Sequence, residues 1–342
     1  MPPSIPPQLA SNALVIGVVC FYLTAALAMV MANKWVLNVT SAPLFFLLTQ
    51  LVIAVVLFVS ANALRLLPER LNFDLKVCKT LVPMVSLSLL SLSLSNFTLK
   101  YVDASFYQVA RSLVLPFTVG ISGVILHTRP SLRIFVACGI VTLGFFCGVF
   151  LDTTPLSMRG IIFGVASSSV TALHSVVIKT SLSAVNGSAI LLSWYTHVLS
   201  VLALSPIVFL VEGAAVSELL FPTTDAANAT LRTLIWGSLL TGGIGFSMSL
   251  ASLLSIKVTS PITHMISSAV RGVAASLLGV WLFHDIVTSG RAASIAIILG
   301  GSVYYTWVKA QETEAARQTE RAADVKLANL EDGMRKEVES GS

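Results

Sequence analysis

Residues 257–283 read KVTSPITHMISSAVRGVAASLLGVWLF, an apolar run of transmembrane length with Arg271 near its middle. About 20 apolar residues cross the hydrocarbon core as a helix, and an arginine at the centre of such a helix costs roughly 2.5 to 3.5 kcal/mol to insert. At helical spacing Thr263, Ser267 and Arg271 recur every four residues on one face, with Ser268 beside them, and much of the remaining surface is Val, Leu and Ile. This pattern describes a polar stripe along a water-filled path, with a guanidinium set to meet an anion.

The rest of the chain is built to match. Of its 342 residues 55% are hydrophobic and 11% charged, which excludes an ordinary soluble globule and predicts an all-α polytopic membrane protein. Ten spans are expected, at 13–33, 43–62, 78–98, 104–126, 132–151, 159–181, 189–212, 232–255, 261–283 and 287–308. The runs are continuous and too long for the alternating strands of a transmembrane barrel. Fourteen of the 21 Lys and Arg fall on one side if both ends are cytosolic, five on the other, Arg291 among these five, and Arg111 and Arg271 lie within spans. That bias predicts cytosolic termini and contact with membrane lipid. No aromatic-interleaved basic patch suggests nucleic acid. The N-terminus MPPSIPPQLASN lacks the basic region of a cleaved signal peptide, so the first span is expected to remain. The four cysteines lie in or beside spans without a paired pattern, and no structural disulfide is expected.

An internal repeat divides the membrane portion. Lys100 and Lys257 stand 157 positions apart, Tyr107 matches His264 at the same offset, and the fourth and ninth spans end at His127 and His284. The expected organisation is a cytosolic segment 1–12, one five-helix repeat at 13–151, a second at 152–308, and a charged cytosolic tail at 309–342, partly helical or disordered. Arginines from repeat-related helices, Arg111 and Arg271, would then face one cavity. Lys34 is either an interfacial anchor or a cation at the cavity mouth, and Lys179 either snorkels or contacts an anion. His174 is expected to pack between helices. Ser193-Trp194-Tyr195-Thr196-His197 forms a cluster able to stack on a base and bond its edge. The loop 212–231 is expected to be the longest on the luminal side and carries the glycosylation acceptor Asn228-Ala229-Thr230.

Missing residues narrow the chemistry. The sequence has no HExxH, no Cys/His ligand cluster and no paired intramembrane acids, so metal hydrolysis, aspartyl proteolysis and a carboxylate proton relay are excluded, and neither a metal nor a cofactor is implied. Gly120-Ile121-Ser122-Gly123 has the form found around an intramembrane protease serine, a four-residue pattern that arises readily in helices. Cations without acids predict a phosphorylated small molecule as cargo, because the arginine fork matches phosphate oxygens and stays charged. A non-transporting membrane scaffold is the alternative from another class.

Several segments also carry a family likeness: Asn33-Lys34, LKYVDASFYQVARSL at 99–113, KTSLSAVNGS at 179–188, IKVTSPITHMISSAVRG at 256–272 and GGSVYYTWVK at 300–309. Over residues 13–308 the chain resembles the nucleotide-sugar and triose-phosphate transporters of the drug/metabolite transporter superfamily, most closely the Golgi GDP-fucose transporters. The resemblance implies ten helices in two inverted five-helix repeats and residence in the Golgi membrane. It implies exchange of a cytosolic nucleotide sugar, GDP-fucose-like, for luminal nucleoside monophosphate. In the similar triose-phosphate carriers the positions matching Lys34, Lys179 and Arg271 contact phosphate. Arg111 joins them here, with Tyr107, Tyr195, Thr196, His197, Thr263, His264 and Ser267 expected on base and sugar. Where GDP-sugar carriers have FYNN this chain has Trp194-Tyr195-Thr196-His197, and where they have a ninth-span lysine it has Arg271. A UDP-sugar or a triose-phosphate-type metabolite remains the alternative cargo, and a homodimer remains open.

Overall fold

A computed structural model describes residues 7–340, apart from 126, 128–129, 153–156, 222–223, 259–260 and 285–287. Within its helices the side chains of 7–16, 18–19, 179–180, 226, 250–271, 316–317 and 320–340 lie outside the description. The elements among the described residues are all helices: α1 Pro7–Leu37, α2 Pro43–Ala63, α3 Leu75–Tyr101, α4 Ala104–Arg111, α5 Val114–Ile125, α6 Leu132–Phe150, α7 Met158–Ser181, α8 Ala189–Leu220, α9 Asp225–Val258, α10 Pro261–Phe283 and α11 Ser289–Ser340. A 3-10 turn, Leu182–Val185, follows α7. Seven helical stretches among the described residues are long and apolar enough to cross a membrane. The last three expected spans fall on α9, α10 and the start of α11.

Local chemistry sets the ends. Asp74 caps α3 by accepting from the Lys76 amide at 2.8 Å, and Pro43 begins α2, where its missing N–H costs nothing. The α2 start is also capped from outside: Glu212 of α8 accepts from the amides of Leu44 at 3.1 Å and Phe45 at 2.8 Å. A carboxylate there meets both orphan donors and the positive end of the helix dipole.

Three boundaries depart from the expected ones. The fourth span is broken into α4 and α5 around Ser112–Leu113. Pro116 has no amide to offer Ser112 and its ring would strike that carbonyl, so the helix stops before it. The luminal loop expected at 212–231 is mostly helix, because α8 runs to Leu220 and α9 begins at Asp225; Glu212 is a buried α8 residue. The tail continues α11 as helix to Ser340, in keeping with its Ala, Glu, Lys and Arg content.

Packing links the two halves of the chain. α6 lies along α11, α3 along α7 and α1 along α9, while α2 packs on both α8 and α9 and α8 also on α3. α10 packs on α1, α4 and α11, and α7 on α4 and α5.

Candidate functional site

The site forms where α3, α4 and α7 meet. α3 offers Ser95 and Thr98, α7 offers Ser167, Ser168 and Thr171, and α4 ends on Tyr107 and Arg111. They line a small niche in which Arg111 is the single formal charge among the described lining residues. Arg111 is exposed although it lies deep among the helices, so its side chain lines an internal opening of the bundle.

Hydroxyl pairs build the walls. Ser91 shares a hydrogen bond of 2.6 Å with Thr171, and Ser95 one of 2.7 Å with Ser167, so α3 and α7 are stitched at two levels. Ser168 donates at 2.8 Å to the Ala110 carbonyl, fixing the last turn of α4 on α7. Gly164 makes that approach possible: a Cβ there would lie 2.8 Å from the Ala110 Cβ. Arg111 then donates at 3.1 Å to the Tyr107 hydroxyl, one turn earlier on its own helix. Tyr22 of α1 stands within electrostatic reach of the guanidinium. The arrangement presents fixed positive charge, phenol and hydroxyls without an acid among the described lining residues, which suits an oxyanion.

The expected site residues divide. Tyr107 and Arg111 belong to the niche. Arg271, Thr263, His264 and Ser267 sit on α10, whose backbone packs against α4; their side chains lie outside the described residues, as does that of Lys179 near the end of α7. Lys34 is elsewhere. It is 6% exposed and donates to the carbonyls of Leu99 at 2.9 Å and Val102 at 2.7 Å, closing the C-terminus of α3. A cation there meets the negative end of the helix dipole, so in this conformation it is committed to a helix end and does not stand at a cavity mouth.

The 194–197 cluster meets protein groups in this conformation. Tyr195 is 1% exposed; its hydroxyl donates to the Asn72 side chain at 3.2 Å and accepts from the Asp74 amide at 2.9 Å. Trp194 donates to the Asn72 carbonyl at 3.0 Å. Thr196 donates to Leu192 of its own helix, and the His197 ring meets the Ser193 carbonyl and packs 5.6 Å from the Phe58 ring. Trp194 and Tyr195 clamp the α2–α3 loop, while Thr196 and His197 bond within α8. His174 packs as expected, against the Met84 sulfur at 3.4 Å. Asn228 is exposed in the first turn of α9.

Sequence reasoning did not single out the hydroxyls of Ser95, Thr98, Ser167, Ser168 and Thr171 as one wall, or Tyr22. The signal was present in SLSLLSLSLSN and in the serines 167–169, where small hydroxyl residues recur on facing helices.

Comparison with known proteins decides the family. The sequence profile of the Triose-phosphate Transporter family matches residues 13–306. The chain belongs to that family. Membership in a transporter family sets aside the protease suggested by Ser122. Curated relatives include a Golgi GDP-fucose transporter of Drosophila melanogaster, 31% identical over 90% of this chain and 94% of that one. GDP-fucose transporter 1 of Mus musculus is 29% identical over 90% and 86% of the two chains, and its Dictyostelium discoideum namesake is 31% identical over 87% and 81%. A solved crystal structure shares the fold at a TM-score of 0.50 and 13% identity, covering 87% of this chain and 97% of its own.

Proposed function

We propose that this protein is a Golgi nucleotide-sugar transporter that exchanges a cytosolic nucleotide sugar, GDP-fucose-like, for luminal nucleoside monophosphate. The observation that carries the reading is Arg111: an exposed guanidinium inside the helical bundle, walled by hydroxyls and without a carboxylate among the described lining residues. Kinship with the GDP-fucose transporters supplies the cargo. Arg271 and Lys179 complete the phosphoryl contacts in this reading, with Tyr107, Thr263, His264 and Ser267 toward base and sugar, and Asn228 is the glycosylation acceptor.

The membrane arrangement belongs to the same proposal. Ten spans form two inverted five-helix repeats with both termini cytosolic, α4 and α5 counting as one span. The principal helix pairs support it, because exchanging each span for its counterpart five later maps these pairs onto one another. The α3–α7 pair becomes α9–α1, α2–α9 becomes α8–α3, and α6–α11 and α2–α8 return to themselves. His127 and His284, ending the fourth and ninth spans, both adopt the left-handed backbone, with φ of 51° and 55°. Rocking of the repeats about the niche gives alternating access, and closure over empty cationic groups is disfavoured because it strips their water without a partner. Exchange follows from that cost.

The test is counterflow in proteoliposomes preloaded with GMP or UMP and offered labelled GDP- and UDP-sugars. GMP-driven uptake of GDP-fucose, abolished by Arg111→Ala, is the expected result. Uptake of equal rate into empty vesicles overturns obligatory exchange, and inhibition by triose phosphate without inhibition by nucleoside monophosphates overturns the nucleotide cargo.

A further inference from the structure

Arg291 was expected to be a loop cation on the far side of the membrane. It is instead 0% exposed, the largest fully buried side chain among the described residues. Its Nε donates to Asp152 at 2.6 Å and one terminal nitrogen to both Asp103 at 3.0 Å and Ser105 at 2.9 Å. The guanidinium also lies 6.0 Å from the Phe106 ring centre. Asp152, itself 0% exposed, accepts from the Thr288 hydroxyl at 2.9 Å. One side chain of α11 therefore holds the end of α6 and the first turn of α4 together.

The surrounding backbone is equally tight. A Cβ on Gly290 would overlap the Leu151 carbonyl, and one on Gly148 would lie 2.6 Å from the Ser294 hydroxyl and 2.8 Å from Val109 of α4. Breaking a buried, hydrogen-bonded ion pair strands a charge away from water, which argues for a joint that persists rather than a gate that parts. α4 has only eight residues and ends at the break before α5, so its own hydrogen bonds cannot fix its direction; isolated helices shorter than about 12 residues are marginal. Its orientation comes from its ends, and Arg111 is its last residue.

We propose that Arg291 is a positioning residue for transport: by locking the first turn of α4 to α6 and α11, it sets the direction in which Arg111 presents its guanidinium to the phosphoryl group of the ligand. This rests on reading Arg111 as the anion-binding group. It assigns Arg291 no contact with ligand.

A double-mutant cycle tests it, with GMP binding to the purified full-length protein measured by calorimetry. Arg291→Lys keeps the charge and loses the fork, and is expected to weaken binding about ten-fold. Arg111→Ala weakens it by about the same factor or more, and the double variant is expected to bind no worse than Arg111→Ala alone. If instead the two losses multiply, Arg291 acts as general scaffolding and the inference falls while the phosphoryl reading stands. If Arg111→Ala binds GMP as wild type does, the phosphoryl reading itself falls. Asp103→Asn, at a side chain 44% exposed, serves if Arg291→Lys does not fold. About a three-fold loss is expected in the wild-type background and none beside Arg111→Ala; an equal loss in both backgrounds overturns the inference.

Discussion

Arg291 and Arg111 bracket the same eight-residue helix, one gripping its first turn and the other forming its last, yet their surroundings are opposite. Arg291 is sealed and meets two carboxylates. Arg111 is exposed, donates to a phenol oxygen and faces a hydroxyl-lined niche. In the sequence Arg111 is a cation within an apolar span and Arg291 a cation at the edge of one, and neither shows its partner. The partner separates them: an arginine matched by acids has spent its charge on the fold, whereas one without acids in its niche keeps it for a ligand.

The widest difference should appear in stability. Arg291→Met leaves Asp152 buried without its guanidinium and is expected to cost about 3 to 5 kcal/mol, read as a large drop in the detergent melting midpoint. Arg111→Met strands no carboxylate among the described residues and is expected to change stability by less than about 1 kcal/mol. Equal melting of the two variants would break the comparison. Function should reverse the order: Arg111→Met is expected to weaken GMP binding by about ten- to hundred-fold, the worth of a charge-assisted contact, in a protein that still melts like wild type.

A smaller effect tests the seam that carries Arg111. Gly164→Val places a branched side chain where a Cβ alone comes within 2.8 Å of Ala110 and 3.4 Å of the Thr98 methyl. Overpacking of this kind costs about 1 to 3 kcal/mol. Pushing α7 from α4 should also break the Ser168–Ala110 contact, so GMP affinity is expected to fall along with the melting midpoint. A fall in stability with affinity untouched would show that the niche does not depend on that seam.

Much of the architecture was legible because the bilayer imposes a simple length rule, and each expected span lies on or overlaps a helix. Pro116 marks the break after Arg111, but the run stays apolar across it and so reads as one span. Arg291 could not be read this way. Its partners Asp103 and Asp152 lie 188 and 139 positions earlier, and beside Thr288-Ser289-Gly290 it looks like any interfacial cation. Glu212 stands at the edge of the seventh expected span, whereas α8 continues to Leu220 and buries it. Periodicity locates a side chain along its own helix, and long-range pairing decides whether that side chain serves the fold or the cavity.

The smallest effect concerns Tyr195, where composition suggested a base reader and the structure gives a clamp. Tyr195→Phe keeps the ring against Phe73, 6.0 Å between centres, and removes only the bonds to Asn72 and the Asp74 amide. That loss is expected to cost about 1 kcal/mol, with the ratio of GDP-sugar to UDP-sugar counterflow unchanged. Because the phenol lies in contact with the α2–α3 loop, the variant should instead loosen that loop, raising amide exchange at Phe73 and Asp74. A shift in base preference without faster exchange would mean that Tyr195 leaves the loop during transport and meets the base. The division would then hold for Arg291 and Arg111 but not for the aromatic cluster, whose members would serve fold and ligand in turn.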